Sequence, residues 1–399
     1  MKITGIETLR VTEFANLLWV KVHTDEGLYG LGETFFLPET VEAYLHESVA
    51  PKLIGRDPLA IEAIARDLVG YLGFRSTGAE VRGNSAIDIA LWDLFGKAVG
   101  QPVAQLLGGF AREEIRTYNT CAGTTYMRSG GAQKVANYGL GNATDGYDDL
   151  NSFLTRADDL AEDLLSEGIT AMKIWPFDMA AEKTQGTYIS GPDLKAALEP
   201  FEKIRKRVGD RMDIMVEFHS MWQLLPAMTI ARALAPYNTF WHEDPIKMDS
   251  LASLKRYAEA STAPICASET LGSRFAVRDL LETGAAGVVM LDISWCGGIS
   301  EAKKIAGMAE AWHLPVAPHD CTGPVVLAAS THLSLNATNA VFQESVRAYY
   351  RTWYKDIVTV VPKVENGMIS VGREPGLGLD LNPDLDKRFT VVRRVSGKA

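Results

Sequence analysis

A ladder of polar residues, each closing a short apolar run, constrains this chain more than any other feature. Lys173, Glu217, Glu243, Glu269, Asp292, His319 and Glu344 all sit this way. Ile214-Met215-Val216 leads into Glu217, and Val288-Val289-Met290-Leu291 leads into Asp292. From Glu217 onward the successive gaps are 26, 26, 23, 27 and 25 residues. That length holds one strand and one helix, and strands alternating with helices predict a parallel sheet. Eight such units close into a barrel whose active site lies at the C-terminal strand ends. Those are the positions that this chain fills with carboxylates and a histidine.

A chain of 399 residues accommodates one barrel and a second domain. A hydrophobic content of 47% predicts a large core and argues against disorder. The net charge of −10 disfavours nucleic acid as a partner, and an anionic substrate would need a local cation. Cys121, Cys266, Cys296 and Cys321 show no CxxC spacing, as expected of packing cysteines in a reduced cytoplasmic protein. No apolar run approaches ~18 residues, so no membrane span is expected. The start, Met1-Lys2-Ile3, moves directly into strand-like alternation without the pattern of a signal peptide.

Residues 1–35 read as strands: Leu18, Val20 and Val22 alternate with Trp19, Lys21 and His23. Residues 40–108 read mostly as helices. The apolar face of Ala86, Ile87, Ile89, Ala90, Leu91 and Leu94 carries Asp88 and Asp93 among its members, and Gly108-Gly109 breaks the chain. The repeat begins near Ile115. Two domains are expected: an α+β domain over residues 1–115, completed by residues 350–399, and a barrel over residues 116–349. The segment from Gly123 to Asp149 is too long for an ordinary connection, so it is either a lid or disordered. Residues 176–193 form a second long connection with the same two readings. Leu194, Ala197, Leu198, Phe201, Ile204 and Val208 predict a helix that Gly209 ends.

Glu217, Glu243 and Glu269 close three consecutive strands and would converge within a few ångströms. Unpaired carboxylates that close repel one another, so one takes a proton or a cation sits between them. A few hard oxygen ligands with room left for substrate suit Mg²⁺. Single glutamates would be read as surface or salt-bridged groups; three in register change that reading. On the next two strand ends, Asp292 falls within hydrogen-bond reach of His319. A carboxylate there fixes the imidazole tautomer and raises its basicity, which makes a general base. His219 follows Glu217 by two residues, and period-two geometry puts both on one face. It is a candidate general acid, or else a packing histidine. His242 is expected to point away from the site.

Several stretches together resemble the mandelate racemase branch of the enolase superfamily. They are Gly83-Asn84-Ser85-Ala86-Ile87-Asp88-Ile89-Ala90-Leu91-Trp92-Asp93-Leu94, Glu243-Asp244-Pro245, Ala267-Ser268-Glu269, Cys296-Gly297-Gly298 and Pro375-Gly376-Leu377-Gly378. The resemblance implies an α+β N-terminal capping domain over a modified TIM barrel, (β/α)₇β. It implies Mg²⁺ on Glu217, Glu243 and Glu269, and His319–Asp292 as the base dyad. Glu344 matches an acid that hydrogen-bonds the substrate carboxylate, and relatives of this kind form dimers or octamers. There are two departures. The first metal position is usually aspartate, and here it is Glu217. The second barrel strand often ends Lys-x-Lys, and here it reads Lys173-Ile174-Trp175. Trp175 cannot take a proton, so that second base is absent; Lys173 is left to meet a carboxylate.

The chemistry implied is proton abstraction α to a carboxylate. With His319 as base and His219 as acid, the expectation is dehydration of an acid sugar (aldonate or aldarate) to a 2-keto-3-deoxy acid. The alternatives are an epimerase, racemase or lactone cycloisomerase using the same enediolate, and a barrel that only binds acid sugars. Phe35, Phe36, Arg75, Tyr126 and Trp222 are candidates for shaping the pocket.

Overall fold

The structure, a computed structural model, describes residues 1–70, 78–128, 133–141 and 146–399. Arg75 therefore lies outside the described residues, as do parts of the segment from Gly123 to Asp149.

Three strands open the chain as an antiparallel meander: β1 (Ile3–Val11), β2 (Leu17–Thr24) and β3 (Tyr29–Phe35). Both faces of this sheet are buried. Ile6, Leu18, Val20 and Val22 pack with Ile87, Ala90 and Leu91 of the helix Ala79–Val99. Leu9, Trp19, Leu31 and Phe35 join the main core shared with the barrel. Gly30 and Gly32 explain how closely the helix lies on β3. A Cβ at either position would fall 1.8–1.9 Å from the carbonyl oxygens of Ala90 and Ala86, so a side chain there would displace the helix.

Eight parallel strands come next: β4 (Ile115–Thr120), β5 (Ala171–Ile174), β6 (Asp213–Glu217), β7 (Trp241–Glu243), β8 (Ile265–Ala267), β9 (Ala286–Leu291), β10 (Val316–Pro318) and β11 (Gln343–Ser345). They pair in chain order from β4 to β10, and β11 pairs with β4. Between β10 and β11 the pairing shrinks to an isolated bridge, Val316 with Ala340, beside a Val341 N–H donating to the Val316 carbonyl at 3.0 Å. Inside the barrel, Tyr118, Met215, Trp241, Met290 and Phe342 form a filled core rather than a pore.

The C-terminal stretch divides. β12 (Lys363–Glu365) and β13 (Met368–Ser370) form a hairpin that joins β4 antiparallel, while β14 (Val391–Gly397) pairs with β1. β14 thus extends the N-terminal sheet, and the hairpin extends the sheet at β4. The connection 176–193 is ordered rather than disordered, for it contains a helix, Asp178–Thr184. The predicted helix ending at Gly209 spans Gly191–Val208. No helix among the described residues is long and apolar enough to cross a membrane.

Three of the motifs that carried the resemblance, Gly83–Leu94, Cys296–Gly298 and Pro375–Gly378, join layers of the fold. Asp88 accepts from the backbone N–H and hydroxyl of Ser300 at 2.9 and 2.6 Å, at the start of the helix Ile299–Ala311. Gly298 has φ +89°, and a Cβ on it would lie 2.4 Å from Asp88. Asp93 accepts from the Leu31 and Leu377 N–H groups, each at 2.8 Å. It thereby pins β3, the long helix and the Pro375–Gly378 turn together.

Candidate active site

The site is built where β4 to β11 end. Lys173, Glu217, Glu243 and Glu344 lie within their strands, and Asp292 and His319 come directly after theirs. Glu269 comes two residues after β8 ends. Ligand-capable oxygens of Glu217, Glu243 and Glu269 all lie within 4.8 Å of one another. Oxygens on opposite sides of an octahedral ion with ~2.1 Å bonds are about 4.2 Å apart, so a small movement would close this set on a cation.

Glu217 Oε1 accepts from the N–H groups of Phe218 and His219 at 2.9 and 2.6 Å. Trp241 Nε1–H donates to Glu243 Oε2 at 3.0 Å. Lys173 reaches three carboxylates at once: Glu243 at 2.5 Å, Glu344 at 2.9 Å and Glu217 at 3.5 Å. The sequence expected one carboxylate partner and the fold supplies three. Glu344 is fully buried and lies behind the cavity wall. Its Oε1 is held by Thr120 Oγ1 and Lys173, and its Oε2 by the Asp320 N–H at 2.8 Å.

The electrostatics show that this pocket holds more negative charge than it can balance. Burial pushes Glu217 up to about 7, against the pull of Lys173. Burial and the neighbouring Glu217 charge raise Glu243 well above the carboxylate range. Burial and Glu269 do the same to Asp244, whose Oδ1 has no partner among the described residues. Glu269 falls, to about 2, because His319 outweighs the cost of its burial, and Glu344 falls because Lys173 and His319 outweigh its own. Lys173 is raised well above its usual value: burial opposes its charge, and Glu243 and Glu344 more than offset that. Buried like charges of this number require a cation or protons. The all-oxygen donor set and the unpartnered Asp244 oxygen fit a divalent cation.

Two imidazoles flank the glutamates. His319 Nδ1–H donates to Asp292 Oδ2 at 2.8 Å, while Asp292 Oδ1 accepts from the Ser294 N–H and hydroxyl at 2.6 and 2.7 Å. His319 Nε2 lies 3.0 Å from Glu269 Oε2. Burial alone would depress His319, but Glu269, Glu344 and Asp292 raise it well above the usual histidine value. Trp295 packs on its ring at 5.2 Å, with the Arg82 guanidinium 4.2 Å above the indole.

On the other side, His219 Nδ1–H donates to Asp178 Oδ2 at 2.6 Å, and its Nε2 lies 3.5 Å from the Tyr126 hydroxyl. His219 reaches this place by a route other than the expected one. β6 ends at Glu217, and His219 and Ser220 lie beyond it with φ of +48° and +55°. The turn held by Glu217 Oε1, not strand alternation, aims the ring. Such conformations are costly for non-glycine residues and cluster at functional sites. Trp175, standing where related chains often carry a lysine, packs edge-on to His219 at 5.6 Å.

These groups share one cavity. Phe35, Phe36, Tyr126, Lys173, Trp175, Glu217, His219, Glu269, Trp295 and His319 are among its lining residues. Trp222 is not, although it was expected as a candidate. His242 points away, as expected: it is buried among Thr239, Tyr257 and Ser261, and burial lowers it to about 3. Sequence reasoning missed Asp178 and Tyr138, whose hydroxyl donates to Asp178 Oδ2 at 2.5 Å. The one available signal was an acid within the second long connection, and no spacing linked it to His219.

Comparison with known proteins agrees with this geometry. Residues 156–385 match the enolase C-terminal domain-like family, and residues 7–108 match the mandelate racemase/muconate lactonizing enzyme N-terminal domain. The chain is 31% identical to the D-galactonate dehydratase of Ralstonia nicotianae, covering 96% of this chain and 93% of that protein. It is 30% identical to the D-galactonate dehydratase of Klebsiella pneumoniae, covering 99% and 95%. A crystal structure of an enolase of the mandelate racemase subgroup from Agrobacterium tumefaciens is 69% identical, covers 100% of this chain and 99% of its own, and superposes with a TM-score of 0.89. An enolase from Sargasso Sea environmental sequencing is 44% identical, with the same coverage and a TM-score of 0.88. The chain belongs to the enolase superfamily, in its mandelate racemase subgroup.

Proposed function

We propose that this protein is a Mg²⁺-dependent acid-sugar dehydratase, a hydro-lyase that converts an aldonate or aldarate to its 2-keto-3-deoxy acid. One observation carries the reading: two imidazoles, each backed by a buried carboxylate, face one cavity beside three converging glutamates. The D-galactonate dehydratase relatives, matched over nearly their whole length, support the reaction class. Glu217, Glu243 and Glu269 would hold Mg²⁺, which when bound stabilises the negative charge that develops on the substrate carboxylate.

The remaining work falls to the chain's own groups. Asp292 fixes the tautomer of His319 and leaves Nε2 to take the α-proton. His219 Nε2–H protonates the 3-hydroxyl as the C3–O bond breaks. Water leaves, and the resulting enol takes a proton at C3 to become the ketone. Lys173 holds Glu243 and Glu344 in place and presents a positive charge at the cavity wall. Glu344, behind the cavity wall, braces Lys173 and Thr120, which face the cavity where the substrate carboxylate would lie. Trp175 leaves no lysine to serve as a base on that side.

A second reading has its own support. A carboxylate behind His219 makes that ring a competent base as well as an acid. That pairing would serve an epimerase or lactone cycloisomerase that returns a proton to carbon. A screen with Mg²⁺ against mono- and di-acid sugars, scoring 2-keto acid, separates the two. Dehydration predicts a hit; α-hydrogen exchange in deuterated water with no 2-keto acid would favour the isomerase. A reduced cytoplasmic setting and a homo-oligomer, dimer or octamer, belong to the same proposal. The former is supported by four cysteines with no disulfide.

A further inference from the structure

We infer that Asp178 is the positioning residue of the acid half of the reaction, holding His219 as a proton donor toward the leaving hydroxyl. The inference rests on the dehydratase reading. Asp178 opens the helix Asp178–Thr184, four residues past the end of β5, and is fully buried. A carboxylate placed there gives up its hydration, and among the described residues no lysine or arginine pairs with it. Two groups meet on its Oδ2: His219 Nδ1 at 2.6 Å and the Tyr138 hydroxyl at 2.5 Å. Its Oδ1 has no partner among the described residues. A buried carboxylate that spends its charge on one imidazole is arranged for that imidazole rather than for stability.

The consequence for His219 is specific. With Nδ1–H committed to Asp178, Nε2 is the nitrogen turned to the cavity. Nε2 is then the ring nitrogen placed to give a proton to the 3-hydroxyl, while Nδ1–H stays on Asp178 and fixes the ring's direction. Burial and the Asp178 charge push the Tyr138 hydroxyl far up, so it remains a donor and holds the carboxylate in place. Gln133 donates to the hydroxyls of Tyr138 and Tyr126 at 3.2 and 2.8 Å. The acid is thus completed from the connection after β4, and among the described residues that connection does not hydrogen-bond the base dyad.

The experiment compares Asp178→Asn with the wild type on two substrates in deuterated water with Mg²⁺. One is the acid sugar that the wild type dehydrates; the other is its 3-deoxy-3-fluoro analogue, whose fluoride leaves without being protonated. An amide in place of the carboxylate that orients a catalytic imidazole costs up to ~10⁴-fold in kcat. The expected result is a kcat on the 3-hydroxy substrate lower by about 10²–10⁴-fold, with KM little changed. Deuterium would still enter the α-position, and fluoride release would stay near the wild-type rate. Tyr138→Phe, which leaves the carboxylate in place, is expected to show the same split with a smaller loss. A fall of equal size on both substrates would make Asp178 structural and overturn the inference, as would an unchanged kcat on the 3-hydroxy substrate. A wild type inert toward every acid sugar would instead overturn the dehydratase reading, and the inference with it.

Discussion

The two His–Asp pairs at the barrel mouth are made of the same chemical parts and are assembled differently. His319 and Asp292 sit directly at the ends of barrel strands β10 and β9, whose backbones are hydrogen-bonded together. Asp292 is pinned further by both donors of Ser294. His219 and Asp178 come from connections. The histidine sits in a positive-φ turn past β6, and the aspartate opens a short helix past β5. Its third member, Tyr138, arrives from the segment after β4. The proposed base is built into the frame, while the proposed acid is gathered from loops that the frame merely positions. That division suits a barrel fold, in which the strand ends stay fixed while the loops can vary the chemistry.

The largest loss is expected at His319. His319→Asn should abolish both α-hydrogen exchange and dehydration, a loss of about 10³-fold or more, measured by deuterium incorporation and 2-keto acid formation. Next comes the metal. Chelation should abolish turnover in both halves, since neither dyad acts on a substrate that is not held. Restoring Mg²⁺ should raise Tm, because a ligand at 100 times its Kd stabilises by about 2.7 kcal/mol. Glu243→Gln should blunt that rise in a thermal melt. A smaller effect is expected at Tyr138. Its phenylalanine variant should lose roughly 10-fold in dehydration while α-exchange is kept, which would show that the loop serves the acid alone.

The smallest effect lies outside both dyads. His332 is buried between the Ala104 N–H and the Leu377 carbonyl, and burial lowers it to about 4. Below the ordinary histidine value of about 6.5 the unfolded chain gains a proton that the folded chain refuses. Stability from this group is therefore present above about 6.5 and lost as the pH falls from there toward 4. Denaturant midpoints across that window should decline, and His332→Gln should flatten the decline.

The same contrast explains what could be read from the sequence. The convergence of Glu217, Glu243 and Glu269 and the pairing of Asp292 with His319 were legible because a strand–helix repeat of fixed length puts strand-end residues on one rim. Lys173 was legible as a group meeting carboxylates, but not as one bridging Glu217, Glu243 and Glu344, since that depends on how three strands lean together. His219 was identified for a reason that fails, because strand periodicity stops at Glu217. Asp178 could not be found from spacing, because a connection's length says nothing about where its side chains fold back. In the first domain, Asp88 and Asp93 stood out on an apolar helix face without a visible reason. The reason is partners more than 200 residues away in the chain, Ser300 and Leu377.

The two imidazoles are proposed to divide the reaction, one moving the proton on carbon and the other the proton on oxygen. The most direct test is deuterium exchange with Mg²⁺ in two variants, read by NMR of the recovered substrate. His219→Asn should exchange the α-hydrogen while forming no 2-keto acid, and His319→Asn should do neither. A His319→Asn variant that dehydrates at the wild-type rate, or a His219→Asn variant that does so, would contradict that division.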